Sequence, residues 1–324
     1  MTEKPRILFM GTPDFACATL RALVESGADL VGVVTKPDTP KGRGYTMTPP
    51  PVKVYALEQG LAVYQPTTLK PGTEEGDAFA ALLRELDPAL IVVVAYGKIL
   101  PRAVLDYPAL GCVNVHGSLL PAYRGAAPMQ RAIIDGCAET GITTMLMADG
   151  IDTGDMLLKR VVPIGENDNF EDIHDRMAEV GAALLLETVE GLVAGTITPE
   201  PQDDALATHA AKIEREDCVL DFAQTAQALH NQIRGLSPIP LAVTTLPDGK
   251  RVKVIASTVA DADTPHAQPG EILAASTEGE GWLEIACGQG SLRIHRLLPE
   301  GKSRMTAADF LRGRRAAVGD IWGK

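Results

Sequence analysis

Positive charge is what this sequence is short of. Against 42 aspartates and glutamates stand 30 lysines and arginines, a formal net charge of −12 at pH 7. A broad positive field, and with it indiscriminate nucleic-acid binding, is therefore excluded, although a local basic patch is not. Cysteine is also scarce: five residues, an odd number, none in C-x-x-C spacing. That argues against a disulfide framework and for reduced thiols in a cytoplasmic setting, and the five read as small buried hydrophobes. No apolar run approaches the roughly 18 residues that cross a membrane, so no membrane partner is expected. The opening "MTEKPRILFMGTPDF" has an apolar run broken at once by Gly11, Pro13 and Asp14, unlike a signal peptide. Its turn lacks G-x-G-x-x-G, so a dinucleotide cofactor is not expected, and Thr12–Pro13–Asp14 reads as a helix start. His174, His209, His230, His266 and His295 lack metal-ligand spacing; they read as structural or surface residues, and no metal is expected.

What is present is alternation. "RILFMG", "DLVGVVT", "LAVYQP", "ALIVVVAYG", "GCVNVHG", "GITTMLMAD" and "DMLLKRVVPI" read as strands. Helical patterns separate several of them: "PDFACATLRALVES", "AFAALLRELDP", a short one near 128–136 and a long one over about 170–193. Fully apolar strands alternating with helices predict an α/β fold, a Rossmann-like, mostly parallel sheet covered on both faces. The polar, proline-bearing stretch "TITPEPQDDALATHAAKI" reads as a linker. After it come a helical pattern, "TAQALHNQIRGL", and strand pairs "LAVTTL"/"RVKVIAS" and "WLEIAC"/"LRIHRL" joined by turns. That spacing predicts a smaller antiparallel, OB-like β-barrel domain. The expected division is 1–195, a linker 196–211, and 212–324, with no internal repeat.

In such sheets ligands gather at the carboxyl ends of strands. "VNVHG" ends a strand with Asn114 and His116, which the two-residue period puts on one face, roughly 7 Å apart. An amide and a protonated imidazole are two convergent donors, what a developing oxyanion requires. The acidic loop "DGIDTGD" follows 36 residues later, counting from His116 to Asp152. A carboxylate near an imidazole orients it and favours its charged form. Asn–His–Asp would thus suit attack of a neutral amine on a carbonyl carbon. Taken alone the pattern is weak, since N-x-H at a strand end is more often structural and Asp-Gly loops are usually turns. A calcium loop is discounted, because the far bidentate Glu is missing.

"NVHGSLLPAYRGAAP" together with "DGIDTGDML" resembles the signature of the 10-formyltetrahydrofolate-dependent formyltransferases. "ILFMGTPDFA", "KPDTPKGRGYTMTPPPVK" and "ATHAAKI" extend the resemblance over nearly the whole chain, toward the branch acting on methionyl initiator tRNA. The resemblance implies catalytic roles for Asn114, His116 and Asp152 and folate contacts at Ser118, Leu119, Leu120 and Pro121. It also implies 10-formyltetrahydrofolate as formyl donor, methionyl initiator tRNA as acceptor, and a monomer is expected. The chain departs from the family where a Trp-Pro pair is common, at "LSPIPLAV", and where Asp-Trp is common, at Leu220–Phe222. Both departures bear on packing and RNA contact in the C-terminal domain.

The resemblance meets the residues again between Lys36 and Lys53, which holds Lys36, Lys41, Arg43 and Lys53 against Asp38. Gly42 and Gly44 flank Arg43, describing a loop that can order around phosphates; as a bare pattern it is more simply a solvated excursion. In the family this loop enters the tRNA acceptor stem, which makes Lys36, Lys41 and Arg43 the candidate tRNA contacts. Residues 301–324 carry a second basic excess, net +4, suited to phosphate contacts or to a solvated helix face. The nearest alternative is a formyltransferase acting on a sugar nucleotide or on glycinamide ribonucleotide. The basic loop and the β-rich final third argue against it. A non-catalytic nucleic-acid-binding protein is a further reading, and it fits poorly with an intact Asn–His–Asp set.

Overall fold

The computed structural model describes residues 4–41, 44–313 and 315–323. Two compact units emerge, Met1–Gly125 with Gly141–Val162 and His174–His209, and Ala126–Thr140 with Pro163–Ile173 and Ala210–Lys324.

The first unit is built on a seven-stranded sheet: β1 (Arg6–Gly11), β2 (Asp29–Val34), β3 (Val63–Tyr64), β4 (Leu90–Val94), β5 (Cys112–His116), β6 (Glu139–Leu146) and β7 (Met156–Pro163). Their order is β7-β6-β5-β4-β1-β2-β3, parallel from β5 through β3 and turning antiparallel where β6 joins β5. Ile7–Met10 and Leu90–Val94 are buried on both faces, as continuous apolar runs in a parallel sheet must be. Helix α1 (Asp14–Glu25) starts just past Pro13; α2 (Pro51–Glu58) and α4 (Arg102–Leu105) are short. Helix α3 (Glu74–Leu86) is capped by the Thr73 side chain and lays Phe79 and Leu83 on Leu8, Met10, Ile91 and Val93. Helix α6 (Phe170–Ala194) covers the sheet near β5 and β6, where Gly181 sits against Val115 and Ile142. The Thr188 hydroxyl meets that of Thr144 at 2.8 Å. Because Val115 faces α6, the alternate residues Asn114 and His116 face the other way.

The second unit is a coiled antiparallel sheet packed on helices. Its strands are β8 (Ala242–Thr245), β9 (Arg251–Pro265), β10 (Ile272–Ser276), β11 (Trp282–Ala286), β12 (Gln289–Pro299) and β13 (Met305–Thr306). The order is β8-β9-β12-β11-β10, with β13 on β12. Strand β9 runs well past the expected Ser257, with four register shifts against β12 that bend it. Strand β10 and helix α8 (Ala307–Arg312) carry no clear periodic signal in the sequence. Helix α5 (Pro128–Ile134) packs on α7 (Ala226–Gly235), where Gly235 lets the helices approach: a Cβ there would lie 2.7 Å from Ile134 Cγ1. The Arg131 guanidinium holds Asp217 at 2.7 Å.

Cys112, Cys218 and Cys287 are buried as expected, whereas Cys17 and Cys137 are only half-buried, on helix flanks and turns where one side meets solvent. Burial pushes the Cys112 and Cys287 thiols up to about 12 and Cys17 to about 11, which removes them as thiolate nucleophiles at neutral pH.

Candidate active site

Strand β5 ends on the face away from α6, and both of its polar side chains reach the same carboxylate. Asn114 Nδ2 lies 3.5 Å from Asp152 Oδ1, and His116 Nδ1 lies 3.5 Å from Asp152 Oδ2. All three are sheltered, His116 being 5% exposed. The opposite ring nitrogen, Nε2, donates to the Tyr123 carbonyl at 3.0 Å, since a carbonyl can only accept. Both ring nitrogens thus face oxygen atoms.

Asp152 reaches this place through an unusual backbone. It is a non-glycine residue at φ 54° in the loop between β6 and β7, beside Gly150 at φ 109°. A Cβ on Gly154 would overlap the Leu146 carbonyl oxygen, so only glycine lets the loop fold back on β6. The Gly125 N–H donates to Asp152 Oδ2 at 2.9 Å, and the Gln202 amide donates to the carbonyls of Asp152 and Gly154 at 2.8 and 2.7 Å. Asp149, in the same loop, is engaged elsewhere: Arg102 holds its carboxylate at 2.8 Å.

The loop after β5 is pinned from inside. Thr143 on β6, fully buried, accepts from the Leu120 N–H at 3.1 Å and donates to the Ser118 carbonyl at 2.8 Å. The Ser118 hydroxyl donates to the Ala122 carbonyl at 2.6 Å. Leu120 packs with Met145 and Met156. Of the four residues expected at the folate, Ser118 and Leu120 therefore spend their side chains holding the loop, while Leu119 and Pro121 keep partial exposure.

Lys36 stands half-buried at the end of β2, its ammonium against Gly97, which follows β4 at φ 73°. Beyond it a two-stranded ribbon, Thr39–Lys41 with Thr46–Thr48, occupies what the sequence presents as an irregular loop. At its base Lys53 binds Asp38 at 2.8 Å, with Gln65 donating to the same carboxylate. Lys53 holds the Asp38 carboxyl below the usual range, and its own charge is spent there. Lys41 is the last residue traced on one arm; its side chain, and Arg43 altogether, lie outside the described residues. Tyr45, 79% exposed at φ 50°, projects from the other arm, an aromatic that the count of charges overlooks.

Sequence reasoning passed over Gln202 and Arg124. The first lay in a stretch read as a linker; the second sat inside a quoted motif with no role. Yet residues up to His209 belong to the first unit, where Arg124 N donates to the Thr208 carbonyl at 2.9 Å. An isolated Gln among Pro and Asp carries no periodic signal, so nothing local marks it.

Known proteins share this arrangement of chain. A formyl transferase family model matches residues 5–189, and a formyl transferase C-terminal domain model matches 212–315. The chain belongs to the formyltransferase family. Among relatives, a protein of Citrifermentans bemidjiense named methionyl-tRNA formyltransferase is 50% identical over 320 residues, covering 98% of this chain and 96% of that one. One of the same name from Bacillus subtilis is 47% identical over 319 residues, covering 98% of each. Solved structures of lower identity share the fold. HypX from Aquifex aeolicus in complex with tetrahydrofolic acid superposes with TM-score 0.62 at 19% identity, over 95% of this chain but 47% of HypX. WlaRD, a sugar 3N-formyl transferase, gives 0.64 at 16%, over 93% of this chain and 100% of its own. Among the described residues, no group of three His, Cys, Asp or Glu could hold a metal ion, and no helix is long and apolar enough to cross a membrane.

Proposed function

We propose that this chain transfers a formyl group from 10-formyltetrahydrofolate to the α-amino group of methionine carried by initiator tRNA. The observation that carries the reading is the meeting of Asn114, His116 and Asp152 at the end of β5. Likeness over nearly the whole length to relatives named for this reaction supports the acceptor, and the like-folded HypX, solved with tetrahydrofolic acid, supports the donor.

The neutral amine attacks the formyl carbon, and the carbonyl π pair moves to oxygen. Asn114 Nδ2–H and His116 Nε2–H donate to that oxyanion, the latter exchanging the Tyr123 carbonyl for it. Asp152 keeps His116 oriented and accepts the proton lost by the amine, directly or through water. The carbon–N10 bond then breaks, N10 takes up a proton, and a formamide is left on methionine. Residues Ser118 to Pro121 line the folate side. Lys36, Lys41 and Arg43 meet acceptor-stem phosphates, so residues up to about 195 carry the chemistry and those from about 212 help hold the tRNA, in the cytoplasm.

The test is direct. Purified protein, 10-formyltetrahydrofolate and methionyl initiator tRNA should yield N-formylmethionine, while a sugar nucleotide or glycinamide ribonucleotide in place of the tRNA should not be formylated. Formylation of either small acceptor without formylmethionine rejects the reading. Arg43→Ala should weaken productive use of tRNA and leave folate binding intact; full activity of that variant on charged tRNA removes the loop from the account.

A further inference from the structure

Asp152 is held at both ends. Its carboxylate takes the Gly125 N–H, while its carbonyl, and that of Gly154, each take one N–H of the single amide group of Gln202. These two bonds fix the 152–153 and 154–155 peptide planes, one on each side of the Thr153–Gly154 pair, and so maintain the left-handed turn at Asp152, a conformation that a non-glycine residue keeps only where its surroundings enforce it.

The direction of the Gln202 amide is itself determined. Its Oε1 accepts from Arg124 Nε at 3.0 Å, and a guanidinium has only donors, so the amide N–H groups must point at the two carbonyls. Arg124 is 5% exposed and is fixed in turn by Asp204 at 2.8 Å and by its backbone bond to Thr208. Since Arg124 is followed directly by Gly125, the bonds close a ring: Arg124 to Gln202, Gln202 to the Asp152 backbone, the Asp152 carboxylate to Gly125. Three segments far apart in sequence are joined there, at the one carboxylate that meets Asn114 and His116.

We propose that Gln202, oriented by buried Arg124, is a positioning residue for formyl transfer: it sets the backbone of Asp152 so that the carboxylate reaches Asn114 and His116 together. The inference rests on the catalytic reading above. Gln202→Glu is the sharpest probe, because it keeps the shape and the Arg124 contact but turns an acceptor toward two carbonyl acceptors. Gln202→Met removes both bonds at similar volume and serves the same comparison should the glutamate variant not fold.

Formylation of methionyl initiator tRNA is measured in wild type, in each Gln202 variant, in Asp152→Asn and in the double variants. The expected result is a 10- to 100-fold fall in kcat, the usual cost of losing a group that orients a reacting one, with KM for folate and for tRNA within about threefold. In the Asp152→Asn background the same substitutions should cost almost nothing, since the group they position is already gone. Wild-type kcat in both Gln202 variants overturns the inference, as does an equal loss in the two backgrounds, which would mark a role in general structure only. Asp152→Asn with full activity overturns the catalytic reading and the inference with it; an impaired Asp152→Asn beside unimpaired Gln202 variants overturns the inference alone.

Discussion

His116 is a buried ring with an acceptor at each nitrogen, and each contact limits what replacement can achieve. Removing it leaves the Asp152 carboxylate without the ring nitrogen 3.5 Å away and the Tyr123 carbonyl without its donor. His116→Ala should lower kcat for formyl transfer at least about a hundredfold, the range of a lost general acid or oxyanion donor, with the KM values changed far less. Steady-state kinetics decides it: a loss under threefold would exclude the ring from the chemistry. That Asn114 and His116 share a face was readable from their spacing. That Asp152 joins them came only through the resemblance of the loop motif, because spacing alone does not state which strand end a loop folds toward.

At the scale of the element, the loop between β6 and β7 depends on Gly154, where the chain lies against the Leu146 carbonyl. Gly154→Ala has no side-chain chemistry to lose, but its methyl must displace either β6 or the loop carrying Asp152. Overpacking of this kind costs about 1–3 kcal/mol, and formylation should fall while folate affinity changes little. Thermal unfolding with a parallel activity assay tests this; a variant with normal turnover would mean that the loop can yield without moving Asp152. The central strands of the first sheet were plain in the sequence, since Ile7–Met10 and Leu90–Val94 are continuous apolar runs. The length of β9 was not: its outer half, Thr258 to Pro265, alternates only loosely and is held by bulged pairing with β12.

In the second unit the buried groups make a pH dependence. His230 on α7 is 3% exposed, its Nε2 on the Glu166 carbonyl at 3.2 Å and its Nδ1 on the Ser257 hydroxyl at 3.1 Å. Burial holds its pKa below the ordinary 6.5, and Arg234 adds to that. In the unfolded chain the ring protonates near 6.5, in the folded one only at lower pH. Between those values the unfolded state binds more protons, so stability falls as pH falls below 6.5 and stops falling below the folded value. His230→Gln should flatten the dependence of the thermal midpoint on pH in that window. His295, also lowered by burial, leaves a residual slope. Identical slopes in variant and wild type would show that His230 does not carry the effect. On this scale the chain's organisation escapes a linear reading. Arg234 donates to the carbonyls of Gly165 and Asp168 at 3.2 and 3.0 Å, and α5 lies on α7, so two early segments count with the late one.

Local regularities settled what local physics can settle. Apolar runs fixed which segments are strands of a covered sheet, a two-residue period put an amide and an imidazole side by side, and the specific loop motifs pointed to the family. Tertiary structure alone decided what holds the Asp152 carboxylate against those two side chains. The bonds that do so, from Gly125, Gln202 and Arg124, join segments tens of residues apart, and hydrogen bonds across such distances leave no period in a sequence.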